Sequence, residues 1–205
     1  MKTILFIDDN EVLQSVYKDA FKRLGYHTIP AYTGAAGLNL LEDIIPDLVL
    51  LDIMMEPMDG WMVLEKIRKN QDTNTVPIIV MTAKSLHPLE IIQYGEMIDG
   101  YITKPLQLKD IKVLLEKFWD EQESVEKIIT NARSRGILDE TLAEYRILRN
   151  QTQVIAKMLS YIENMLGISG REVICDELLD PELNTIRNML AEKNERYHII
   201  QQQVE

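Results

Sequence analysis

Residues 3–9 read Thr3-Ile4-Leu5-Phe6-Ile7-Asp8-Asp9, an apolar, strand-favouring run that stops on two adjacent carboxylates. A run without polar alternation suits a strand covered on both faces, the environment of a parallel sheet. Four more runs of this texture follow at 27–29, 48–51, 76–81 and 100–103, and a segment of helical character follows each. The pattern predicts helices over 11–24 (closed by Gly25), 34–42 (capped by Thr33), 60–69, 88–97 and 106–119, with Pro105 as the start signal of the last. Five strands alternating with five helices predict an α/β domain with a doubly wound, five-stranded parallel sheet. In such a sheet the first and third strands are neighbours, and sites form at the carboxyl ends of the strands.

The texture changes further along. Residues 106–135 contain neither Gly nor Pro, and Leu108, Ile111, Leu115, Phe118, Gln122, Val125, Ile129 and Ala132 follow a 3,4,3,4 spacing. One reading has residues 108–118 covering the sheet and a separate helix beginning near 122. The other has a continuous helix over 106–135 that leaves the first domain and pairs in a coiled coil. After Gly136 the chain reads as helical only. Asp139 is the expected cap of a long helix to about Leu166, with Leu138, Leu142, Tyr145, Leu148, Ile155, Leu159, Ile162 and Leu166 along one stripe, widened by Met158, Tyr161 and Met165. Gly167 and Gly170 close it, a short helix is expected over 171–179, and Asp180-Pro181 starts a last helix to about Gln202 with Leu183, Ile186, Leu190 and Tyr197 as its stripe. The expected organisation is therefore an α/β domain over 1–120 and an all-α domain over 121–205.

Composition narrows the function classes. The 205 residues carry a net charge of −11, so a general polyanion binder is not expected. Residues 121–205 hold 15 acidic and 10 basic residues, which also disfavours a basic DNA-recognition helix. The nearest basic group there, Arg133, Arg135, Arg146 and Arg149, is expected to be solvated charge beside Glu140 and Glu144. Cys175 is the only cysteine, so no intrachain disulfide forms. No apolar run approaches membrane-spanning length, and the N-terminal run is too short for a signal peptide. The expected location is the cytoplasm.

The chemistry lies at the strand ends. Asp8 and Asp9 follow the first strand and Asp52 follows the third, so three carboxylates converge at one edge. Singly, each reads as a helix cap, Asp9 before Glu11 above all. Together they repel and raise one another's pKa, a conflict that a hard divalent cation such as Mg²⁺ resolves. Thr82-Ala83 ends the fourth strand with a hydroxyl beside a small residue, and Lys104-Pro105 ends the fifth with an ammonium. A nucleophilic carboxylate, a cation, a hydroxyl and a counter-charge form a set that stabilises an aspartyl phosphate.

These pieces resemble the receiver domain of two-component response regulators. The similar segments are Ile7-Asp8-Asp9, Leu51-Asp52-Ile53-Met54-Met55, Met58-Asp59-Gly60, Met81-Thr82-Ala83 and Tyr101-Ile102-Thr103-Lys104-Pro105, with 43 residues from Asp9 to Asp52, 30 to Thr82 and 22 to Lys104. The resemblance covers residues 1–120 and implies a CheY-like, flavodoxin-like sheet of strand order 2-1-3-4-5. It implies Asp52 as the phosphoacceptor and Mg²⁺ bound by Asp9 and Asp52 directly, by Asp8 through water, and by the Met54 backbone carbonyl. It implies that Lys104 pairs with the acyl phosphate, that Thr82 moves toward the phosphoryl group, and that Tyr101 swings inward. Glu56 stands where the family usually has proline, in a loop similar to receivers of methanogenic archaea. Glu56 is read either as an adjuster of metal affinity or kinase access or as a solvated loop residue. Lys84 sits where the family tunes dephosphorylation.

The resemblance thus implies phosphorelay signal transduction. Its donor is a sensor histidine kinase, and its chemistry extends no further than self-phosphorylation and autodephosphorylation. Phosphorylation is expected to repack the face of the fourth helix, fifth strand and fifth helix. The helical tail is expected to bind a protein partner or a second copy. A DNA-binding tail and a phosphate-sink or relay role are the alternatives. His198 lacks the local sequence of a phosphotransfer histidine and is expected at the surface.

Overall fold

A computed structural model of the chain describes residues 1–105, 107–168 and 181–205. Its elements run β1 (Thr3–Ile7), α1 (Glu11–Arg23), β2 (His27–Ala31), α2 (Gly34–Asp43), β3 (Leu48–Leu51), α3 (Gly60–Lys69), β4 (Ile78–Thr82), α4 (Pro88–Tyr94), β5 (Gly100–Thr103), α5 (Leu108–Ser134), α6 (Asp139–Met165) and α7 (Pro181–Val204). They divide into two compact units, Met1–Ser85 with Met97–Leu108, and Leu86–Glu96 with Lys109–Glu205. The expected helix over 171–179, Gly170, Cys175 and Asp180 lie outside the described residues.

The first unit holds the sheet. All its strands are parallel, in the order β2-β1-β3-β4-β5. β1, β3 and β4 are buried almost throughout, as their unbroken apolar runs require. Short polar side chains start the helices that return to it. Asn10 accepts from the Leu13 amide at 3.0 Å, Thr33 from Ala36 at 3.1 Å and Asp59 from Met62 at 2.8 Å. Arg68 donates to the carbonyls of Met97, Asn74 and Val76 and to the Asp99 carboxylate, which also accepts from the Ile78 amide. That network gives three backbone carbonyls and a partly shielded carboxylate one shared donor.

The second unit is helical. α5 is one helix of 27 residues that runs unbroken through residues 120–122, the continuous helix of the second reading. The compact units part at Leu108, in the first turn of this helix. The far half of the α5 stripe is used inside the chain, because Val125, Ile129 and Ala132 pack in one buried cluster with Leu142, Tyr145, Leu148, Ile200 and Val204. That cluster, rather than an intermolecular coiled coil, takes up this stretch of heptad pattern.

The α6 stripe is buried from Leu142 to Ile162, whereas Leu138 and Leu166 are exposed because they form the two caps of the helix. Met165, in its last turn, is also exposed. Asp139 is not the cap. Leu138 holds that position without a side-chain bond, and the Asp139 carboxylate instead accepts from Arg133 Nε at 2.8 Å. Arg135 and Arg146 also find partners different from those expected. Arg146 pairs with Glu126 at 2.6 Å, and Glu144 pairs with Arg196. Arg135 donates to the Val204 carbonyl. His198 is exposed, as expected.

α4 belongs to this helical unit and not to the unit that holds the sheet. Lys193 Nζ of α7 lies 3.0 Å from the Glu96 carboxylate and 2.8 Å from Gln151 Oε1 of α6, and Gln151 donates to the Glu96 carbonyl at 3.3 Å. His87 at the head of α4 stands 3.8 Å from Glu182, and Gly95 at its end lies against Ile155.

Candidate functional site

The sheet register assembles the site. Ile7 pairs with Leu51, so the residues that follow them, Asp8 and Asp52, leave adjacent strands side by side. Each incoming backbone is tied to its neighbour. The Asp8 amide donates to the Ala31 carbonyl at 3.0 Å, Asp52 to Ile7 at 2.9 Å and Lys104 to Thr82 at 2.8 Å. One carboxylate oxygen from each of Asp8, Asp9 and Asp52 falls within 4.8 Å of the others. Asp9 is exposed and leaves the cap of α1 to Asn10, so its carboxylate is not consumed by the helix start.

Lys104 completes the cluster. Its ammonium lies 2.5 Å from Asp8 Oδ2 and 2.6 Å from Asp52 Oδ2, with its side chain only 6% exposed. Three ionised carboxylates and one ammonium leave a deficit of two charges, matched by one divalent cation, and all the donors are hard oxygens as Mg²⁺ prefers. Burial raises the Asp8 pKa, and the bonds from Lys104 and the Asn10 amide only partly oppose it. A cation would favour the ionised form.

The remaining expected residues surround this cluster. The Met54 amide donates to Asp52 Oδ1 at 3.1 Å, which orients the carboxylate. Thr82 is buried, and its hydroxyl accepts from the Lys84 amide at 3.2 Å. The Tyr101 hydroxyl donates to the Lys84 carbonyl at 3.0 Å. Both hydroxyls therefore meet on the backbone of Lys84, Thr82 at its amide and Tyr101 at its carbonyl. Ala83 and Lys84 are exposed, as is Glu56, which fits the solvated-loop reading of that glutamate.

Two further residues have structural consequences: Gly60, read in the sequence as the end of the segment Met58-Asp59-Gly60, and Gln14, which the sequence reading did not single out. Gly60 opens α3 so close to Asp52 that a Cβ would lie 2.1 Å from the Asp52 carbonyl oxygen. Gln14 is 1% exposed, and its Nε2 lies 3.0 Å from the Phe6 carbonyl, 3.1 Å from that of Asp8 and 2.9 Å from that of Ala31. The available signal was a polar residue in line with Tyr17 and Phe21 on the buried face of α1.

The family profile described as response regulator receiver domain matches residues 4–116, more than half of the chain. Transcriptional regulatory protein AfsQ1 of Streptomyces coelicolor is 32% identical over 107 residues, or 52% of this chain and 46% of that protein. The chain thus spans less than half the length of this curated relative. Among solved structures, the N-terminal domain of a response regulator receiver protein from Methanoculleus marisnigri is 42% identical with a TM-score of 0.50, covering 57% of this chain and 95% of that one. This agrees with the similarity to methanogen receivers read from the loop over 52–60. The receiver domain of sensor histidine kinase PA1611 from Pseudomonas aeruginosa, solved with a magnesium ion coordinated in its active site cleft, is 28% identical with a TM-score of 0.52, covering 57% of this chain and 96% of that one.

Proposed function

Because this chain belongs to the response regulator receiver domain family, we propose that it accepts a phosphoryl group on Asp52 from a sensor histidine kinase and passes its phosphorylation state to the helical unit. The observation that carries this reading is the convergence of Asp8, Asp9 and Asp52 within 4.8 Å, with Lys104 bonded to two of them. In the proposed step a carboxylate oxygen of Asp52 forms a bond to phosphorus as the bond from phosphorus to the donor's imidazole nitrogen breaks. The electron pair leaves on that nitrogen. Hydrolysis by water later returns the carboxylate and releases phosphate, so the chemistry is confined to the protein's own phosphoryl group. Asp9 and Asp52, with Asp8 through water and the Met54 carbonyl, would hold Mg²⁺, which supplies neutralising charge to the phosphoryl oxygens. Lys104 supplies the fixed positive charge on the other side. Wild-type protein treated with a small acyl-phosphate donor is expected to take up one phosphoryl group with Mg²⁺ and none after chelation. Equal uptake in both conditions would contradict the proposed metal requirement.

The proposed route to the output runs along the chain. Thr82 and Tyr101 share the Lys84 backbone, and Leu86, two residues on, begins the α4 segment that packs with α6 and α7. A phosphoryl group that draws the Thr82 hydroxyl away changes the support of that segment. The helical unit then serves as an interaction surface for a protein partner or a second copy. Lys193→Met removes the ammonium that joins Glu96 to Gln151 and is expected to speed amide exchange across α4 several-fold, at a cost of about 1 kcal/mol. Unchanged exchange would show that the ammonium does not anchor α4. A DNA-binding output is the second reading, favoured by the name of AfsQ1. The pairing of Arg133, Arg146, Arg187 and Arg196 with carboxylates speaks against it. Gel shifts at two salt concentrations separate the two readings. The proposed location is the cytoplasm, and among the described residues no helix is long and apolar enough to cross a membrane.

A further inference from the structure

We propose that Gln14 is a positioning residue for the acidic cluster, an inference that rests on the phosphoacceptor reading above. Its side-chain amide lies against the carbonyls of Phe6, Asp8 and Ala31, at the carboxyl ends of β1 and β2. Two N–H hydrogens shared among three carbonyls clamp the segment where β1 becomes the Asp8-Asp9 turn. The same segment is held from two other directions, by the Asp8 amide on Ala31 and by the Asn10 amide on Asp8 Oδ1. Gln14 itself is fixed by its place in α1, where its amide donates to the Asn10 carbonyl at 2.9 Å. The clamp therefore sets the backbone from which the Asp8 and Asp9 carboxylates project. Cation ligands must be held to a fraction of an ångström, so the outer residues that orient them influence affinity. Gln14 Oε1 is buried and has no hydrogen-bond partner among the described residues. The residue thus accepts a cost on one side of its amide while the other side satisfies three carbonyls.

The test compares the full chain with Gln14→Leu, and with Gln14→Met if the leucine variant does not fold. Both remove the donors and keep a side chain of similar size. Thr73→Val is the control, because Thr73 is equally buried and donates one hydrogen bond, to the Ile67 carbonyl at 2.9 Å. The probe is Mg²⁺ alone, titrated calorimetrically below the unfolding transition of every variant, followed by the rate of phosphoryl uptake at saturating Mg²⁺. The expected result is a Mg²⁺ dissociation constant raised about tenfold in the Gln14 variant and unchanged in Thr73→Val. The uptake rate is expected to recover partly as Mg²⁺ saturates. An unchanged dissociation constant in the Gln14 variant, or an equal shift in Thr73→Val, overturns the positioning role. Wild-type protein that neither binds Mg²⁺ nor takes up phosphoryl would instead overturn the phosphoacceptor reading.

Discussion

Asp52→Asn is expected to reduce phosphoryl uptake from a small acyl-phosphate donor with Mg²⁺ to background while leaving the protein folded. The amide oxygen is neutral and does not serve as the nucleophile, whereas the carboxylate oxygen does. The substitution is nearly isosteric, so the sheet edge keeps its shape. Asp52 Oδ1 accepts from the Met54 amide and Oδ2 from Lys104. Asparagine has one carbonyl oxygen and can satisfy only one of them, a loss of about 1–3 kcal/mol. Relief of repulsion with Asp8 offsets part of that loss. Lys104 keeps its contact with Asp8. Stability should therefore stay close to wild type, and lost uptake reports chemistry and not unfolding. Undiminished labelling of Asp52→Asn, measured with labelled donor on folded protein, would remove Asp52 from its proposed role.

Gly60→Ala is expected to be the most damaging single-methyl change in the first unit. Its Cβ would meet the Asp52 carbonyl oxygen at 2.1 Å and Ile53 Cα at 2.8 Å, and both neighbours are backbone, which cannot rotate aside. The Gly60 amide also donates to the Ile53 carbonyl at 3.0 Å, so the two segments are bonded as well as close. Accommodating the methyl must push the head of α3 away from the segment that carries the phosphoacceptor. The expected cost is about 3 kcal/mol or more, read as a lowered urea midpoint, together with weaker Mg²⁺ binding. Wild-type stability and Mg²⁺ binding in this variant would show that the two segments are not held together.

The strands and the site were legible because each is written locally. Apolar runs of strand length ending on Asp8, Asp52, Thr82 and Lys104 need only the parallel-sheet rule to bring their ends together. Asp139 was misread because an acidic residue at a helix start has two uses, capping and ion pairing, and Arg133 decides between them across a turn. The α5 stripe was legible as a stripe, but its partners were not. Periodicity says that Val125, Ile129 and Ala132 are buried without saying whether another chain or this one covers them. Gln14 left only a polar residue on the buried face of α1 as its trace, because the carbonyls it meets belong to β1 and its end and to the end of β2. Gly60 was legible as part of a similar segment, but its close approach to the Asp52 backbone is visible only in the fold. The placement of α4 among the later helices likewise depends on contacts, such as Lys193 with Glu96, that no spacing rule connects.

The central claim, that Asp52 carries the phosphoryl group, is tested most directly by locating that group. Wild-type protein treated with an acyl-phosphate donor and Mg²⁺, reduced with borohydride and mapped by peptide mass spectrometry should show the reduced aspartate at position 52 alone. Reduction at Asp8 or Asp9, or label held on a histidine such as His198, would contradict the account.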